Sequence, residues 1–345
     1  MSVKQKRVTH RDVARLAHVS PAVVSYVINN GPRPTSPETR ERVLKAIEEL
    51  SYHPNAAARG LRVRRTRTIG YVSYDYYPER AFVAPYNSGV MSGLTAALKE
   101  RQHYMLPYPL QVGEDLASLT ALLGSRRVDG MVVRLAEDPP VTDALLEAIT
   151  ASAIPCVCLE RPGASRFGLS CITYDDEGGA YAATQHLVAR GHRRIAHIQG
   201  DPRQQAARDR LAGYERALVE AGLPIDQRLI RGRTWMPADA VAAMRDLLQL
   251  REPPTAVFAA NDQLAFSSIE ALRAHGIRVP EDVAVVGFDD APLAQDMLPP
   301  LTTVHIPFDD LGRLAADLIL RLAYDGEAGP ETVTVPLQLI PRGTA

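Results

Sequence analysis

From residue 68 onward, short runs of β-branched and other apolar residues alternate with stretches that have helical spacing. The strand-like runs include Ile69–Ser73, Gly130–Arg134 and Val283–Phe288, and helical stretches such as Gly178–Arg190 and Leu264–His275 lie between runs of this kind. This alternation predicts parallel sheets joined by right-handed helical crossovers. Because residues 68–345 exceed what one sheet and one core accommodate, we expect an α/β domain of two lobes with a cleft between them.

Charge is distributed unevenly along the chain, although the net charge is only −1. Residues 1–67 hold 14 Lys and Arg against 5 Asp and Glu, whereas the remainder holds 25 against 35. A basic segment on an otherwise acidic chain indicates a polyanionic partner at the basic end.

The basic segment contains three short helical patterns. Thr9 with Asp12, Ser20-Pro21 and Ser36-Pro37 are typical helix starts, because a capping side chain precedes each and proline fits the first helical position. The pattern predicts these inward-facing residues: Val13, Leu16, Ala17, Val23, Val24, Val27, Ile28, Val43, Leu44, Ile47 and Leu50. Two helices separated by a tight turn favour a helix-turn-helix, although a generic three-helix bundle fits the pattern about equally well.

Several motifs decide between these alternatives by their order and spacing. In the head they are Val8-Thr9-x-x-Asp12-Val13-Ala14-x-Leu16-Ala17, Val19-Ser20-x-x-x-Val24-Ser25-x-Val27-x-Asn29 and Tyr52-x-Pro54-Asn55-x-x-Ala58-Arg59-x-Leu61-Arg62. Further along they are Arg210-Leu211-Ala212-Gly213-Tyr214, Ala260-Asn261-Asp262 and Val285-Val286-Gly287-Phe288-Asp289-Asp290. Together they resemble the LacI/GalR family of repressors along nearly the whole chain.

The resemblance implies three parts: a helix-turn-helix domain (1–53), a hinge helix and linker (54–67), and an effector-binding and dimerisation domain (68–345). The last part would have the two-lobed, periplasmic-binding-protein-like type I fold, with residues 302–341 returning across both lobes. The implied partners are a double-stranded DNA operator, a small-molecule effector and a second copy of the chain.

For the DNA-binding head, the resemblance implies that helix Ser20–Asn29 enters the major groove. Pro21, Ala22 and Tyr26 occupy the base-reading positions, but the first two have no side-chain donors, so the operator sequence cannot be transferred from relatives. The other implied DNA contacts are Thr9, Arg11, Ser20, Ser25, Asn29, Asn55, Arg59 and Arg62, with Leu61 as a wedge in the minor groove.

For the effector cleft, the resemblance implies Arg210, Trp235, Asn261 and Asp289 from the second lobe, with Arg134 and Glu160 from the first. Asp289 accepts hydrogen bonds, Arg210 and Asn261 donate them, and Trp235 offers a flat apolar face, a combination suited to a sugar or a base. The alternative is that Arg210 and Asp289 form only an interlobe ion pair and that Trp235 is only packed. Arg134 and Arg161 also leave room for an acidic or phosphorylated ligand.

Two other classes of protein fit the chain less well. We find no GxGxxG, P-loop, GxSxG or HExxH motif, which argues against an enzyme, and the sequence predicts neither a cofactor nor a metal site. A secreted solute-binding protein would share the two-lobed fold, but the polar N-terminus has no apolar signal segment. We therefore expect a cytoplasmic homodimer, in which Cys156 and Cys158 face one side of a buried strand as free thiols.

Overall fold

The computed structural model describes residues 8–29, 35–52, 65–75, 85–111, 116–135, 139–326 and 329–345. The chain forms two compact units, which are called here the head (Met1–Thr66) and the large unit (Arg67–Ala345).

In its described residues, the head contains the helices α1 (His10–Leu16), α2 (Pro21–Asn29) and α3 (Pro37–Glu49). The caps lie where the sequence predicts them. The Asp12 carboxylate accepts from the backbone N–H of Thr9 at 2.9 Å, and Ser36 Oγ accepts from the backbone N–H of Thr39 at 3.3 Å. These bonds satisfy polar groups at helix ends that would otherwise lack partners.

The predicted inner faces of α1 and α3 are wrong at one position each. Leu16 is 39% exposed and Leu44 is 48% exposed, whereas Ala14 and Ala46 are buried. On a short helix the apolar residues can be assigned to more than one face. In the structure the small alanines face inward and let the three helices pack closely around Val13 and the other core valines.

The large unit alternates strands and helices as expected. Its strands are β1 (Thr68–Asp75), β2 (Tyr104–Gln111), β3 (Gly130–Leu135), β4 (Cys156–Leu159), β5 (Ser170–Tyr174), β6 (Ile195–Ile198), β7 (Ile230–Arg231), β8 (Ala256–Ala259), β9 (Ala284–Asp289), β10 (Thr302–His305), β11 (Thr332–Val335) and β12 (Gln338–Ile340). Its helices are α4 (Pro85–Glu100), α5 (Leu116–Gly124), α6 (Pro139–Ala151), α7 (Asp176–Ala189), α8 (Gln205–Glu220), α9 (Pro237–Leu248), α10 (Asp262–Ala274), α11 (Leu293–Asp296) and α12 (Phe308–Leu320).

Two sheets define the two lobes. The first-lobe sheet has the order β11-β5-β4-β3-β1-β2 and is parallel throughout. The second-lobe sheet has the order β12-β10-β9-β8-β6-β7 and is parallel except for β12, which pairs antiparallel with β10. Since ligands of such sheets bind beyond the carboxyl ends of the strands, this topology fixes where a site can be.

The chain passes between the lobes at three places. They lie between β5 and α7 at residues 174–176, between β10 and α12 at residues 305–308, and between β11 and β12 at residues 335–338. The segment 302–341 thus returns across both lobes, as the family resemblance implies.

Helices α4 and α12 contact each other through their backbones. A Cβ added at Gly93 would lie 1.9 Å from the carbonyl oxygen of Asp309, and one added at Gly312 would lie 2.1 Å from that of Val90. Only glycine allows this approach, so the two helices are packed without free space at the crossing.

Strand β2 forms one border of the first-lobe sheet and contains two prolines. Pro107 and Pro109 lie opposite Tyr71 and Ser73 of β1 in the parallel register. Proline has no N–H to donate and is confined to the borders of sheets, so its positions here agree with the strand order.

The three cysteines are free and buried in the first-lobe core. Cys156 and Cys158 are on β4 and belong to the same apolar cluster as Cys171 on β5, which confirms that the first two face one side of the strand. Burial raises the pKa of the Cys171 thiol to about 12, as desolvation disfavours the thiolate.

Candidate effector site and DNA-binding surface

Arg210 is the centre of a polar group in the second lobe. It lies on α8 and is only 4% exposed. Its Nε donates to Asp176 Oδ1 at 2.6 Å, and a terminal nitrogen donates to the Ala260 carbonyl at 2.5 Å and lies 3.6 Å from Asp289 Oδ1. The guanidinium carbon is 3.8 Å from the ring centroid of Phe288. These contacts fix the guanidinium at the carboxyl ends of β8 and β9.

Asp289 ends β9 with an unusual backbone conformation. Its φ is 120°, and that of Asp290 is 58°, both costly for residues other than glycine. The buried carboxylate of Asp262 holds the following turn, because it accepts from the backbone N–H of Ala291 at 2.7 Å and from Thr303 Oγ1 at 2.5 Å. Strained backbone that is held by buried hydrogen bonds is typical of ligand sites.

Trp235 and Asn261 complete the second-lobe group. The Trp235 ring centroid is 5.7 Å from the Arg210 guanidinium, and its Nε1 donates to Gln204 Oε1 at 2.9 Å. A Cβ at Gly200 would lie 2.3 Å from this ring, so glycine is required for the indole to lie there. The side-chain oxygen of Asn261 caps α10 by accepting from the backbone N–H of Leu264 at 2.8 Å.

The first lobe contributes a second group, in which Arg134 Nε donates to Glu160 Oε2 at 3.0 Å. Glu160 follows β4 with a φ of 55°, and its other oxygen accepts from the hydroxyl of Tyr174 at the end of β5. The Arg134 guanidinium lies over the ring of Tyr86, 4.5 Å from its centroid. The structure therefore brings Arg134 and Glu160 together, as expected, and adds two tyrosines to them.

The pKa shifts of the second-lobe carboxyl groups include an influence of the first-lobe group. Burial raises the pKa of Asp176 to about 7, although Arg210 lowers it, and the charge of Glu160 contributes to the rise. Burial also raises the pKa of Asp289, again with opposition from Arg210 and a contribution from Glu160. A carboxylate raises the pKa of another carboxyl group in this way only when the two are close together and little water lies between them.

The cations of this region are already matched by anions. Arg134 pairs with Glu160, and Arg210 pairs with Asp176 and Asp289. The guanidinium of Arg161 is buried and contacts Thr142 and Asp143, each at 2.9 Å. These pairings disfavour an acidic or phosphorylated ligand at Arg134 and Arg161, a possibility that stays untested.

The alternative of an interlobe ion pair is wrong in its geometry, since Arg210 and Asp289 both belong to the second lobe. Sequence reasoning missed Tyr174 and Asp176. Tyr174 and Asp176 flank the end of β5, so the rule that strand ends carry site residues could have found them. Tyr86, which follows β1 along the chain, lies in the first turn of α4.

His192 and His197, two candidates for acid–base chemistry, each have a hydrogen-bonding partner within the fold. Nδ1 of His197 lies 3.0 Å from the Phe258 carbonyl, and Nδ1 of His192 lies 3.0 Å from Thr255 Oγ1. Burial lowers the pKa of His197 to about 4. Within the described parts of the chain, no group of three or more His, Cys, Asp or Glu is arranged to hold a metal ion, and no helix is long and apolar enough to cross a membrane.

The head presents most of the expected DNA-contacting residues on its surface. Pro21 and Ala22 are exposed at the start of α2, and Ser25 and Tyr26 follow on this helix with partial exposure. The exposed residues Thr9, Arg11 and Ser20 lie near the starts of α1 and α2. Asn29 ends α2, but its side chain lies outside the described residues, as do Asn55, Arg59, Leu61 and Arg62.

Comparison with known proteins agrees with both units. Residues 9–55 match the lacI family of bacterial regulatory proteins, and residues 184–345 match the periplasmic binding protein-like domain. The HTH-type transcriptional regulator CelR of Thermobifida fusca is 39% identical over 97% of this chain and 96% of its own length. The chain belongs to the LacI family. This LacI-family regulator is thus a DNA-binding transcriptional regulator with an effector-sensing domain.

Other relatives of the LacI-family regulator extend the comparison. The HTH-type transcriptional repressor PurR of Vibrio atlanticus is 35% identical over 97% of this chain and 98% of its own length. A structure described as the transcriptional regulator CelR–cellobiose complex matches with a TM-score of 0.74 at 35% identity, covering 98% of this chain and 100% of that one. The lac repressor dimer bound to operator and an anti-inducer matches with a TM-score of 0.84 at 27% identity, covering 98% and 99%.

Proposed function

We propose that this LacI-family regulator is a homodimeric repressor whose operator binding is relieved by a neutral, hydroxyl-rich metabolite bound between the lobes. The two charge-matched groups around Arg134 and Arg210 are the observation that carries the effector class. Since each guanidinium already has a carboxyl partner, an anionic ligand would have to displace one of these partners to bind an arginine. A neutral sugar instead offers hydroxyls that both donate and accept.

The proposed effector contacts are Arg134, Glu160, Arg210, Trp235, Asn261 and Asp289. Carboxylate oxygens accept from vicinal hydroxyls, and the indole face packs against the apolar face of a sugar ring. The CelR–cellobiose complex among the relatives favours an oligosaccharide and makes cellobiose the first compound to try. Induction rather than co-repression is the commoner behaviour in the family, so we propose that the effector weakens operator binding.

The effector assignment is tested with a panel of cellobiose and other neutral sugars, sugar phosphates, organic acids and nucleobases. Trp235 is the only tryptophan, so its emission reports on the site directly. A neutral sugar should raise the unfolding temperature and change this emission, and Asp289→Ala should abolish both responses. Asp246→Ala, an exposed change on α9, is the control and should respond like the wild type. Binding of a sugar phosphate or an acid in preference to every neutral sugar would refute the effector class.

For DNA, we propose that the domain 1–53 and the hinge 54–67 act together, with the contacts Thr9, Arg11, Ser20, Pro21, Ala22, Ser25, Tyr26, Asn29, Asn55, Arg59, Leu61 and Arg62. Binding to a pseudo-palindromic duplex should fall steeply with salt, as basic side chains displace counterions from phosphates. Leu61→Ala should reduce both the affinity and the bend of the duplex, because a shorter side chain cannot hold base steps apart. Equal bending by Leu61→Ala and the wild type would contradict the wedge.

The assembly and the location of the regulator follow from this role. The unit that binds operators is a dimer formed through residues 68–345, and it acts in the cytoplasm, where the DNA is. Its chemistry is binding and not catalysis, in keeping with relatives that are transcriptional regulators. Light scattering of the purified protein should give the mass of two chains, and a mass of one or of four chains at working concentration would contradict the dimer.

A further inference from the structure

The chain enters the large unit through a small cluster that we call the entry clasp, formed by Arg67, Asp129 and Tyr324. Arg67 has a φ of 53°, and its backbone N–H donates to Asp129 Oδ2 at 2.7 Å. The hydroxyl of Tyr324 donates to the same oxygen at 2.5 Å. One carboxylate oxygen therefore holds the residue that directly precedes β1.

Backbone pairing around Arg67 reinforces the clasp. The Arg67 carbonyl accepts from the backbone N–H of Tyr104 at 2.9 Å, and the backbone N–H of Asp129 donates to the Thr68 carbonyl at 2.8 Å. Nonetheless, the Arg67 side chain is exposed, and the head is joined to the large unit directly before it. The clasp thus fixes the first residue of the large unit.

Tyr324 reaches Asp129 from an irregular helical turn. Residues 321–325 continue α12 as a single π-helical turn, a distortion that is rare and often found where a helix performs a specific task. The ring of Tyr324 also lies 5.1 Å from that of His103, next to the start of β2.

The opposite end of α12 contacts the first-lobe group of side chains around Arg134. Phe308, its first residue, packs edge-on against Tyr86 at 5.2 Å between ring centroids, and Tyr86 lies beneath Arg134. At about 1.5 Å of rise per residue, α12 and its π turn span roughly 25 Å. One helix therefore reaches from the cleft to the entry clasp, and its close crossing with α4 at Gly93 and Gly312 prevents it from sliding freely.

We propose that Asp129 and Tyr324 are positioning residues for DNA binding: they hold Arg67 so that the head's connection leaves the large unit at a fixed place. This inference rests on the proposed function, because it assumes that the head binds an operator. Holding the connection in place reduces the conformational freedom that must be lost when two heads bind one duplex, which strengthens binding without any contact to DNA.

The test compares full-length wild type, Tyr324→Phe and Asp129→Ala in two assays. Trypsin cleavage after Arg67 is followed by mass spectrometry, and affinity is measured for a duplex that the wild type has selected from a random-sequence pool. Tyr324→Phe loses one hydrogen bond, which should speed cleavage after Arg67 about fivefold and weaken duplex binding to a similar degree. Asp129→Ala loses both bonds and should have the larger effect in each assay. Asp129→Asn, which keeps an oxygen that can accept both bonds, should restore most of the wild-type behaviour.

Tyr214→Phe is the matched control. Tyr214 is buried in the second lobe, and its hydroxyl donates to the Ile195 carbonyl at 2.8 Å. This variant loses a comparable bond, so it should lower the urea midpoint without changing cleavage after Arg67 or duplex affinity. Wild-type values for Tyr324→Phe and Asp129→Ala in both assays would overturn the clasp, as would equal effects in Tyr214→Phe. Failure to select any duplex would refute the proposed function instead, and the cleavage assay would still decide the clasp.

Discussion

Replacing Asp176 with asparagine removes a proton-binding group from the buried part of the cleft. The free energy of unfolding of this variant should therefore depend less on pH than that of the wild type. Burial raises the pKa of Asp176 to about 7 in the folded protein despite the Arg210 guanidinium at 2.6 Å. In the unfolded chain an aspartate has a pKa of about 3.9. Between these values the folded state binds a proton that the unfolded state lacks, so the contribution of Asp176 to stability is lost as pH rises through about 7.

The magnitude follows from these two pKa values. Proton linkage gives a gain of about 2 kcal/mol in the free energy of unfolding when the pH is lowered from about 7 to about 5. The variant Asp176→Asn should lack this gain. Arg210, Glu160 and Asp209 influence the pKa of Asp176, and Asp176 in turn influences those of Asp289 and Tyr174. Since the charge of Asp176 raises the pKa of Asp289, its removal can only reduce the pH dependence further.

Urea titrations at fixed protein concentration measure the free energy of unfolding at each pH. Trp235 emission serves as the signal, because Trp235 lies in the second lobe together with Asp176 and Arg210. Asp226→Asn is the control, because hydrogen bonds from Arg228 lower the pKa of Asp226 to about 2. Its stabilising effect is complete above the unfolded pKa, so this variant should keep the wild-type pH dependence between about pH 5 and about pH 7. Parallel pH profiles for the wild type and Asp176→Asn would refute the assignment of a raised pKa to Asp176.

Two further predictions concern packing. Gly93→Ala should destabilise the large unit by roughly 1–3 kcal/mol in urea titrations, because the added methyl meets the carbonyl of Asp309. Gly124→Ala is the control and should be neutral or slightly stabilising, because there is open space around Gly124. Destabilisation by Gly124→Ala alone would contradict the close crossing. Cys171 and the other thiols should react with a disulfide reagent only as fast as the first lobe opens, since they are buried and the pKa of Cys171 is about 12. Rapid reaction of all three thiols in the native protein would be incompatible with this packing.

Local chemistry made several features of this chain predictable. Capping residues such as Thr9 and Ser36 act within three residues of themselves, so the helix starts could be identified without knowledge of the tertiary structure. Strand–helix alternation likewise predicted the parallel sheets. The placement of Arg210, Trp235 and Asp289 came from the family resemblance, and their contacts in the structure are consistent with one site.

Other features depend on distant parts of the chain and could not be predicted. Whether Leu44 or Ala46 faces the core depends on how three helices pack, which periodicity alone leaves open. That Arg161 turns away to Asp143 depends on the neighbouring helix α6, and that Asp176 pairs with Arg210 depends on which strand ends meet. Such pairings between residues far apart in sequence decide the charge of the cleft.

The prolines of β2 have a consequence for the chain while it folds and after it is made. Pro107 and Pro109 are two residues apart, so their nitrogens point to the same side of the strand, away from β1. A strand from another molecule that approached this border would find two successive positions without an N–H donor. The first-lobe sheet is therefore poorly suited to growth by strand addition, which protects nascent and partly unfolded copies from aggregation through this border.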